Sequence, residues 1–145
     1  CKCLLFVCFS SLLMKLQRGG CPPFWFGFNG RCYKYVSTLM TWADAEQHCV
    51  NQGANLVSIH SLAEENFVKL LIRNFDHADG TTWIGLSDLW NTGEPNNSGG
   101  SEPCVHTNYG PAKGWNDARC THKFSSVCKC LFNKPLLICI FNFVI

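Results

Sequence analysis

Eleven cysteines in a chain of 145 residues constrain its fold more than any other feature. A reduced cytosol rarely holds so many cysteines outside metal proteins, so the count predicts an oxidising, extracellular compartment. A chain of this length can bury one modest core, and we expect a single domain that needs disulfide bonds for its stability. Because the number is odd, at least one cysteine has no intrachain partner, and unpaired cysteines could join copies of the chain into a homo-oligomer.

The spacing of the cysteines argues against a zinc site but does not determine which cysteines form disulfides with each other. Cys21 and Cys32 flank a turn that contains proline and glycine, and this spacing suits a hairpin staple. The two Cys-Lys-Cys triplets, at 1–3 and 128–130, do not resemble structural zinc sites, which usually leave at least two residues between ligands. Spacing alone leaves many pairings open among the six cysteines of the central segment, which are Cys21, Cys32, Cys49, Cys104, Cys120 and Cys128.

The two ends of the chain differ from its middle. Residues 1–20 open with the apolar run CKCLLFVCFSSLL, which indicates a signal-peptide remnant or a non-native leader. Residues 131–145 end in LLICIFNFVI, an apolar tail too short for a bilayer, which needs roughly 20 apolar residues in a helix. We therefore expect no membrane span, and we place the folded domain in residues 21–130.

The charge of the chain argues against one class of partner. The formal net charge is +2, and the twelve basic residues form no run that could follow a phosphate backbone. We therefore expect no binding to nucleic acid.

The middle of the chain predicts an α+β domain with two helices. The first covers 41–53, with Thr41 as N-cap, Asp44 three residues later and Gly53 as the stop. The second covers 61–73, where Ser61 and Glu64 form a capping box. Its predicted apolar stripe comprises Leu62, Phe67, Leu70 and Leu71.

Short runs rich in β-formers, bounded by turn residues, predict the strands. They cover 31–36, 55–59, 81–86, 104–109, 114–120 and 124–130. Within the third run, Trp83-Ile84-Gly85-Leu86 is interpreted as buried core.

The histidines share no spacing typical of a catalytic or metal site. No Ser/His/Asp or Cys/His arrangement indicates catalysis, so the sequence predicts a protein that is not an enzyme. We interpret all five as surface or packing residues: His48, His60, His77, His106 and His122.

Seven segments in chain order closely resemble the C-type lectin domain, especially the small secreted lectins of fish. The segments are CPPFWFGFNGRCYKY, TWADAEQHC, GANLVSIHSLAEENFV, WIGLSD, WNTGEPNNSGGSEPCV, GWNDARC and SSVCKC. The resemblance covers 21–128 and implies a double-loop fold with two helices and two small antiparallel sheets. It also implies three disulfides: Cys49–Cys128, Cys104–Cys120 and Cys21–Cys32.

The chain departs from this family pattern at one place. Between Leu86 and Trp90 it has only Ser87-Asp88-Leu89, where related lectins have a further strand and the opening part of a long loop. We therefore expect the fold to lack one strand segment.

The resemblance also implies a calcium site. Ca²⁺ prefers six to eight oxygen ligands. The implied cofactor is a single Ca²⁺, because an auxiliary site would need a carboxylate where Asn97 stands. In this family the Glu94–Pro95 bond would be cis in the metal-bound form, and two adjacent sugar hydroxyls would complete the shell. The implied ligands, which would also hydrogen-bond the sugar, are Glu94, Asn96, Glu102, Asn116 and Asp117.

The order of these residues predicts the class of sugar. In similar lectins Glu-Pro-Asn is associated with mannose-type sugars and Gln-Pro-Asp with galactose-type ones. Residues 97–100 offer no aromatic ring for a galactose face. We therefore expect glycans of the mannose, N-acetylglucosamine or fucose type, bound by a secreted lectin that acts in innate recognition.

Two alternatives stay open at this level. Some fish antifreeze proteins are similar to these lectins, but the threonines of this chain show no constant period that would suit ice. A lectin-like module could also bind another protein without sugar. Finally, Asn96-Asn97-Ser98 is a glycosylation sequon, and a glycan on Asn96 would block the amide that calcium needs.

Overall fold

The computed structural model of the chain describes residues 15–87, 90 and 92–131. The apolar parts of the predicted leader and tail, 1–14 and 132–145, lie outside this range, and with them Cys1, Cys3, Cys8 and Cys139. Residues 88, 89 and 91 of the shortened segment also lie outside it. The prediction of a lost strand segment therefore stays a prediction.

Both predicted helices are present and begin at the predicted caps. Helix α1 is Trp42–Asn51, and the Thr41 side chain accepts a hydrogen bond from the backbone N–H of Asp44. Helix α2 is Leu62–Phe75, and the Ser61 hydroxyl accepts one from the N–H of Glu64. These caps satisfy N–H groups that a helix end otherwise leaves without a partner.

The buried face of α2 differs from the predicted stripe. Phe67 and Leu71 are buried as expected, but Leu62 is 65% exposed. Val68 and Ile72 take the remaining core positions. The reason is helical geometry: at about 100° per residue, Leu62 lies on the opposite side of the helix from the centre of this face.

The strands follow the predicted order with several changes. Two predicted strands, 55–59 and 81–86, are each divided in two, and a first strand was not predicted. The observed strands are β1 Phe26–Phe28, β2 Arg31–Met40, β3 Asn55–Leu56, β4 Ser58–Ile59, β5 Thr82–Ile84, β6 Leu86–Ser87, β7 Cys104–Tyr109, β8 Gly114–Ala118 and β9 Phe124–Leu131.

The α+β class is confirmed, but the expectation of two small antiparallel sheets is wrong in detail. The described strands form one seven-stranded sheet, in the order β1-β2-β9-β5-β7-β8 with β3 also paired to β9, and a two-stranded β4-β6 sheet. Strand β5 runs parallel to β9, and β4 runs parallel to β6. The connection from β4 to β6 contains α2 and β5, and a crossover of this length allows parallel pairing where a tight hairpin does not.

The predicted core run is only partly buried. Trp83 and Ile84 are completely buried, whereas Leu86 is 50% exposed, which corrects the expectation for that residue. A side chain on Gly85 would place its Cβ 2.9 Å from the Leu56 carbonyl oxygen, so glycine permits this close approach. Leu86 then lies in the short β4-β6 sheet rather than in the main one.

All three expected disulfides are present. Cys49–Cys128 joins α1 to β9, Cys104–Cys120 joins the start of β7 to the segment after β8, and Cys21–Cys32 ties the N-terminal turn to β2. Their Cα–Cα distances are 5.7, 5.5 and 5.2 Å for Cys21–Cys32, Cys49–Cys128 and Cys104–Cys120 respectively. Because Cys128 is bonded to Cys49, it is not a zinc ligand.

No helix within the described part of the chain combines the length and apolar character needed to cross a bilayer.

Candidate functional site

The loop that follows the shortened segment, residues 92–103, lies at the surface and is shaped by unusual backbone angles. The Glu94–Pro95 bond is cis, as expected for this sequence. Asn97 has φ of 45°, and Gly99 has φ of 65° within a short 3₁₀ turn, Ser98–Gly100. Glu94 and Glu102 are half-buried and Asn96 is exposed.

Asp117, on β8, connects this loop to the main sheet. Only 3% of its surface is exposed, and its two carboxylate oxygens accept hydrogen bonds from the backbone N–H groups of Asn96, at 3.2 Å, and Asn97, at 2.5 Å. Burial acts to raise the pKa of Asp117, but these N–H donors outweigh it and hold the pKa below its ordinary value. The structure thus brings the two sequence segments of the predicted site into direct contact.

Glu94 lies next to Asp117. One oxygen of Glu94 accepts a hydrogen bond from the Asn96 N–H at 3.1 Å. Desolvation and the neighbouring Asp117 carboxyl raise the pKa of Glu94 above its ordinary value. Two carboxylates in contact repel each other when both are ionised, and a bound cation would remove that repulsion.

Glu102 and Asn116 are placed differently from the other predicted ligands. The Glu102 carboxylate accepts a hydrogen bond from the Ser98 N–H at 3.1 Å, inside the loop itself. The Asn116 amide donates to the carbonyl of Asp117 and lies 3.4 Å from the ring of His106. In the described residues no three His, Cys, Asp or Glu side chains form a group that could hold a metal.

The donor set nevertheless fits a calcium ion in its chemistry. The five predicted side chains offer three carboxylates and two amides, and oxygen donors of this kind are the ones that Ca²⁺ selects. Two of the carboxylates, Glu94 and Asp117, are already in contact.

Two aromatic side chains lie beside this loop, and only one of them, His106, was assigned a role from the sequence. His106 is 3% exposed and packs edge-on to the Trp83 ring at 6.0 Å, which confirms a packing role, and burial lowers its pKa. Tyr109 is 51% exposed and lines an open cleft of about 360 Å³ together with Glu94. The signal that could have revealed Tyr109 is an aromatic residue at a strand end immediately before a Gly-Pro turn.

The mixed sheet, the disulfides and the oxygen-rich loop define the class of C-type lectin-like domains. The Lectin C-type domain family profile matches residues 38–130. The chain belongs to the C-type lectin domain family.

Several named lectins are similar to it. Ladderlectin of Oncorhynchus mykiss is 39% identical over 128 residues, covering 76% of this chain and 67% of that protein. Lactose-binding lectin l-2 of Anguilla japonica is 40% identical over 138 residues, covering 80% and 81%. The C-type lectin mannose-binding isoform of Notechis scutatus scutatus is 37% identical over 136 residues, covering 77% and 84%.

Solved structures agree on the fold. Herring type II antifreeze protein has a TM-score of 0.69 and 38% identity, covering 77% of this chain and 98% of that one. The Ca²⁺-free form of a Ca²⁺-dependent type II antifreeze protein has a TM-score of 0.68 and 34% identity, covering 76% and 99%.

Proposed function

We propose that this protein binds carbohydrate with the help of one Ca²⁺ ion, and that its preferred ligands are glycans of the mannose, N-acetylglucosamine or fucose type. The observation that carries this proposal is the bridge from Asp117 to the loop. Its buried carboxylate accepts hydrogen bonds from the N–H groups of Asn96 and Asn97, which ties the loop to β8 next to the Glu94 carboxylate. The residues that would hold the ion are Glu94, Asn96, Glu102, Asn116 and Asp117.

We assign these side chains different roles in binding the ion and the sugar. When bound, the ion would supply coordination positions for two adjacent hydroxyls of a sugar ring. The carboxylates of Glu94 and Glu102 can accept hydrogen bonds from those hydroxyls, and the amides of Asn96 and Asn116 can donate to them. Asp117 is almost completely buried, so its part is to ligate the ion and orient the loop rather than to contact the sugar.

The names of the relatives point to more than one sugar class. One relative is named as lactose-binding and another as mannose-binding. The residue order Glu94-Pro95-Asn96 supports the mannose type, because it places an acceptor first and a donor second. The absence of an aromatic side chain in residues 97–100 supports the same choice.

The disulfides bear on the compartment in which the protein works. Three disulfides within the described residues favour an oxidising compartment, and we propose a secreted, extracellular protein with a role in innate recognition. We expect binding rather than catalysis, in line with relatives that are named as lectins. Oligomer formation through cysteines stays a prediction.

The test is affinity chromatography on immobilised mannose in the presence of Ca²⁺. We expect retention, release by EDTA, and release by free mannose rather than galactose. A variant Asp117→Asn should pass through the column, whereas Asp79→Asn, a carboxylate outside the loop, should be retained. Retention that EDTA does not release would reject the proposal.

Calorimetric titration with Ca²⁺ sharpens this result. Wild type should bind one ion per chain, and Asn96→Asp should change the metal affinity, because it adds a carboxylate to the ligand set. Uptake of Ca²⁺ without any uptake of sugar would favour one of the alternative functions.

Ice binding is the second candidate function. The structural similarity to two type II antifreeze proteins, one of them named as Ca²⁺-dependent, supports it. A thermal-hysteresis assay decides the question: growth of ice that the protein arrests would favour this candidate, and its absence would remove it.

A further inference from the structure

An open cleft lies directly beside the proposed calcium site. Its walls come from two segments, the start of the loop and the turn between β7 and β8, and its volume is about 360 Å³. Small-ligand pockets usually have volumes from about 300 Å³ upward, so the cleft can hold one small ring. The lining residues are Thr92, Glu94, Tyr109, Gly110, Pro111 and Ala112.

Tyr109 lines this cleft, and both its backbone and its ring contact neighbouring residues. Its side chain is 51% exposed, and its backbone pairs with Gly114 across the β7–β8 turn. The buried His106 ring lies 5.5 Å away at 78°, an edge-on contact that limits rotation of the tyrosine ring. The preceding residue, Asn108, donates its side-chain amide to the Gly80 carbonyl at 3.3 Å.

Single exposed aromatic residues are common on protein surfaces and need no function. Tyr109 differs in its neighbours, because the same cleft is lined by Glu94, a carboxylate of the proposed metal site, and by Thr92. An aromatic ring, a hydroxyl and a carboxylate suit a sugar ring, which has apolar C–H faces and hydroxyl edges. The carboxylate disfavours an anionic occupant.

We propose that this cleft is a second sugar subsite, in which a neutral hexose linked to the metal-bound sugar stacks on Tyr109. The inference rests on the proposed function, because Glu94 belongs to both sites. The ligand of the protein is then a glycan of at least two residues rather than a single terminal sugar.

Calorimetry with defined sugars tests the subsite. The probes are methyl α-mannoside and a set of dimannosides of different linkage, titrated in Ca²⁺ into wild type, Tyr109→Ala and Tyr109→Phe. In wild type, at least one dimannoside should bind more tightly than the monosaccharide. Tyr109→Ala should lower that dimannoside's affinity about three- to tenfold and leave the monosaccharide within about twofold, while Tyr109→Phe retains both.

A matched control uses another exposed aromatic residue. Phe24 is 79% exposed and does not line the cleft, so Phe24→Ala should change neither affinity. Thermal unfolding and Ca²⁺ titration of each variant establish that Tyr109→Ala is folded and still binds the ion.

The contrary outcomes separate the two proposals. If wild type in Ca²⁺ binds none of the mannosides, the subsite is rejected, and the proposed function fails as well when N-acetylglucosamine and fucose also do not bind. If wild type binds the monosaccharide but every dimannoside binds no better, the subsite is rejected while the proposed function stands. An equal loss for both sugars in Tyr109→Ala also rejects the subsite, since the ring would then only support the loop.

Discussion

The body of the domain around β9 and the loop 92–103 are held together by different forces. In the body, Cys49, Cys128, Val127 and Trp83 are completely shielded from solvent. In the loop every residue is exposed or half-buried. There the chain is fixed by backbone N–H groups that donate to carboxylates, above all to Asp117.

This difference shows which part of the molecule a bound ion can influence. Apolar burial and disulfides depend little on charge, so the body should fold in the same way with or without a cation. The loop concentrates negative groups that repel one another, so its stability should depend on their charge. Variants that change only one of the two regions would support this separation, and variants that change both equally would contradict it.

The largest effect is expected in the body, at the Cys49–Cys128 disulfide. It closes a sequence separation of 79 residues, and replacing both cysteines by alanine should lower the free energy of unfolding by about 4 kcal/mol. The matched control is Cys21→Ala with Cys32→Ala, a separation of 11 residues, with an expected loss of about 3 kcal/mol. Urea unfolding measures both, and a larger loss for the short bridge would contradict the ranking.

The next effect is expected in the loop, from Asp117→Asn. The amide keeps the shape but replaces one acceptor oxygen by a donor that faces an N–H group. Hydrogen exchange should show the Asn96 and Asn97 amides losing about 1–3 kcal/mol of protection, with little change in β9. Asp79→Asn, which breaks a surface ion pair with Arg73, is the control. Equal loss of protection in β9 would mean that the two regions are not separate.

A smaller effect is expected from Glu64, a hydrogen-bonded carboxylate in the body of the domain. It accepts hydrogen bonds from the Tyr33 hydroxyl and the Lys129 ammonium, both at 2.8 Å. At neutral pH, Glu64→Gln should cost about 1–2 kcal/mol of unfolding free energy, because these charge-assisted bonds are weakened.

The stabilisation by Glu64 should decrease as the pH is lowered. Burial acts to raise the pKa of Glu64, but the bonds from Lys129 and Tyr33 outweigh it and hold the pKa below its ordinary value of 4.5. The stabilisation is therefore present above pH 4.5 and is lost as the pH falls through the lowered pKa of the folded state. The gap between wild type and Glu64→Gln should close in acid, and a gap that widens there would contradict this assignment.

The smallest effect is expected at Asn97 in the loop. Its side-chain oxygen accepts the Glu102 N–H at 2.9 Å, and its φ of 45° lies in the left-handed region. Asn97→Gly should lose only the hydrogen bond, whereas Asn97→Ala also adds backbone strain of about 1 kcal/mol. Hydrogen exchange of the loop amides compares them, and equal protection in the two variants would show that backbone strain is unimportant.

Much of the fold followed from local sequence signals. Thr41 and Ser61 cap their helices as predicted, because capping depends on a side chain and a backbone group only a few residues apart. The β7 strand has the predicted bounds, and the disulfides implied by the family resemblance are present. The resemblance also pointed to Glu94 and Asp117, which the structure brings into contact.

Other features depended on contacts between distant segments. The division of 81–86 at Gly85 follows from the approach of Leu56, which is remote in sequence. The exposure of Leu62 depends on which face of α2 packs on the core, and that of Leu86 on its place in the short β4-β6 sheet. The cleft beside Tyr109 exists only because the β7–β8 turn folds against the loop, and no local pattern describes that contact.

The class of fold, the helix caps and the supply of oxygen donors were therefore predictable from the sequence, because each depends on residue type and short spacing. The parallel pairing of strands, the burial of particular apolar residues and the contact between carboxylates were visible only in the folded structure. Those outcomes depend on how distant segments pack around a shared core, and packing energy is set by the whole set of neighbours rather than by any one stretch of chain.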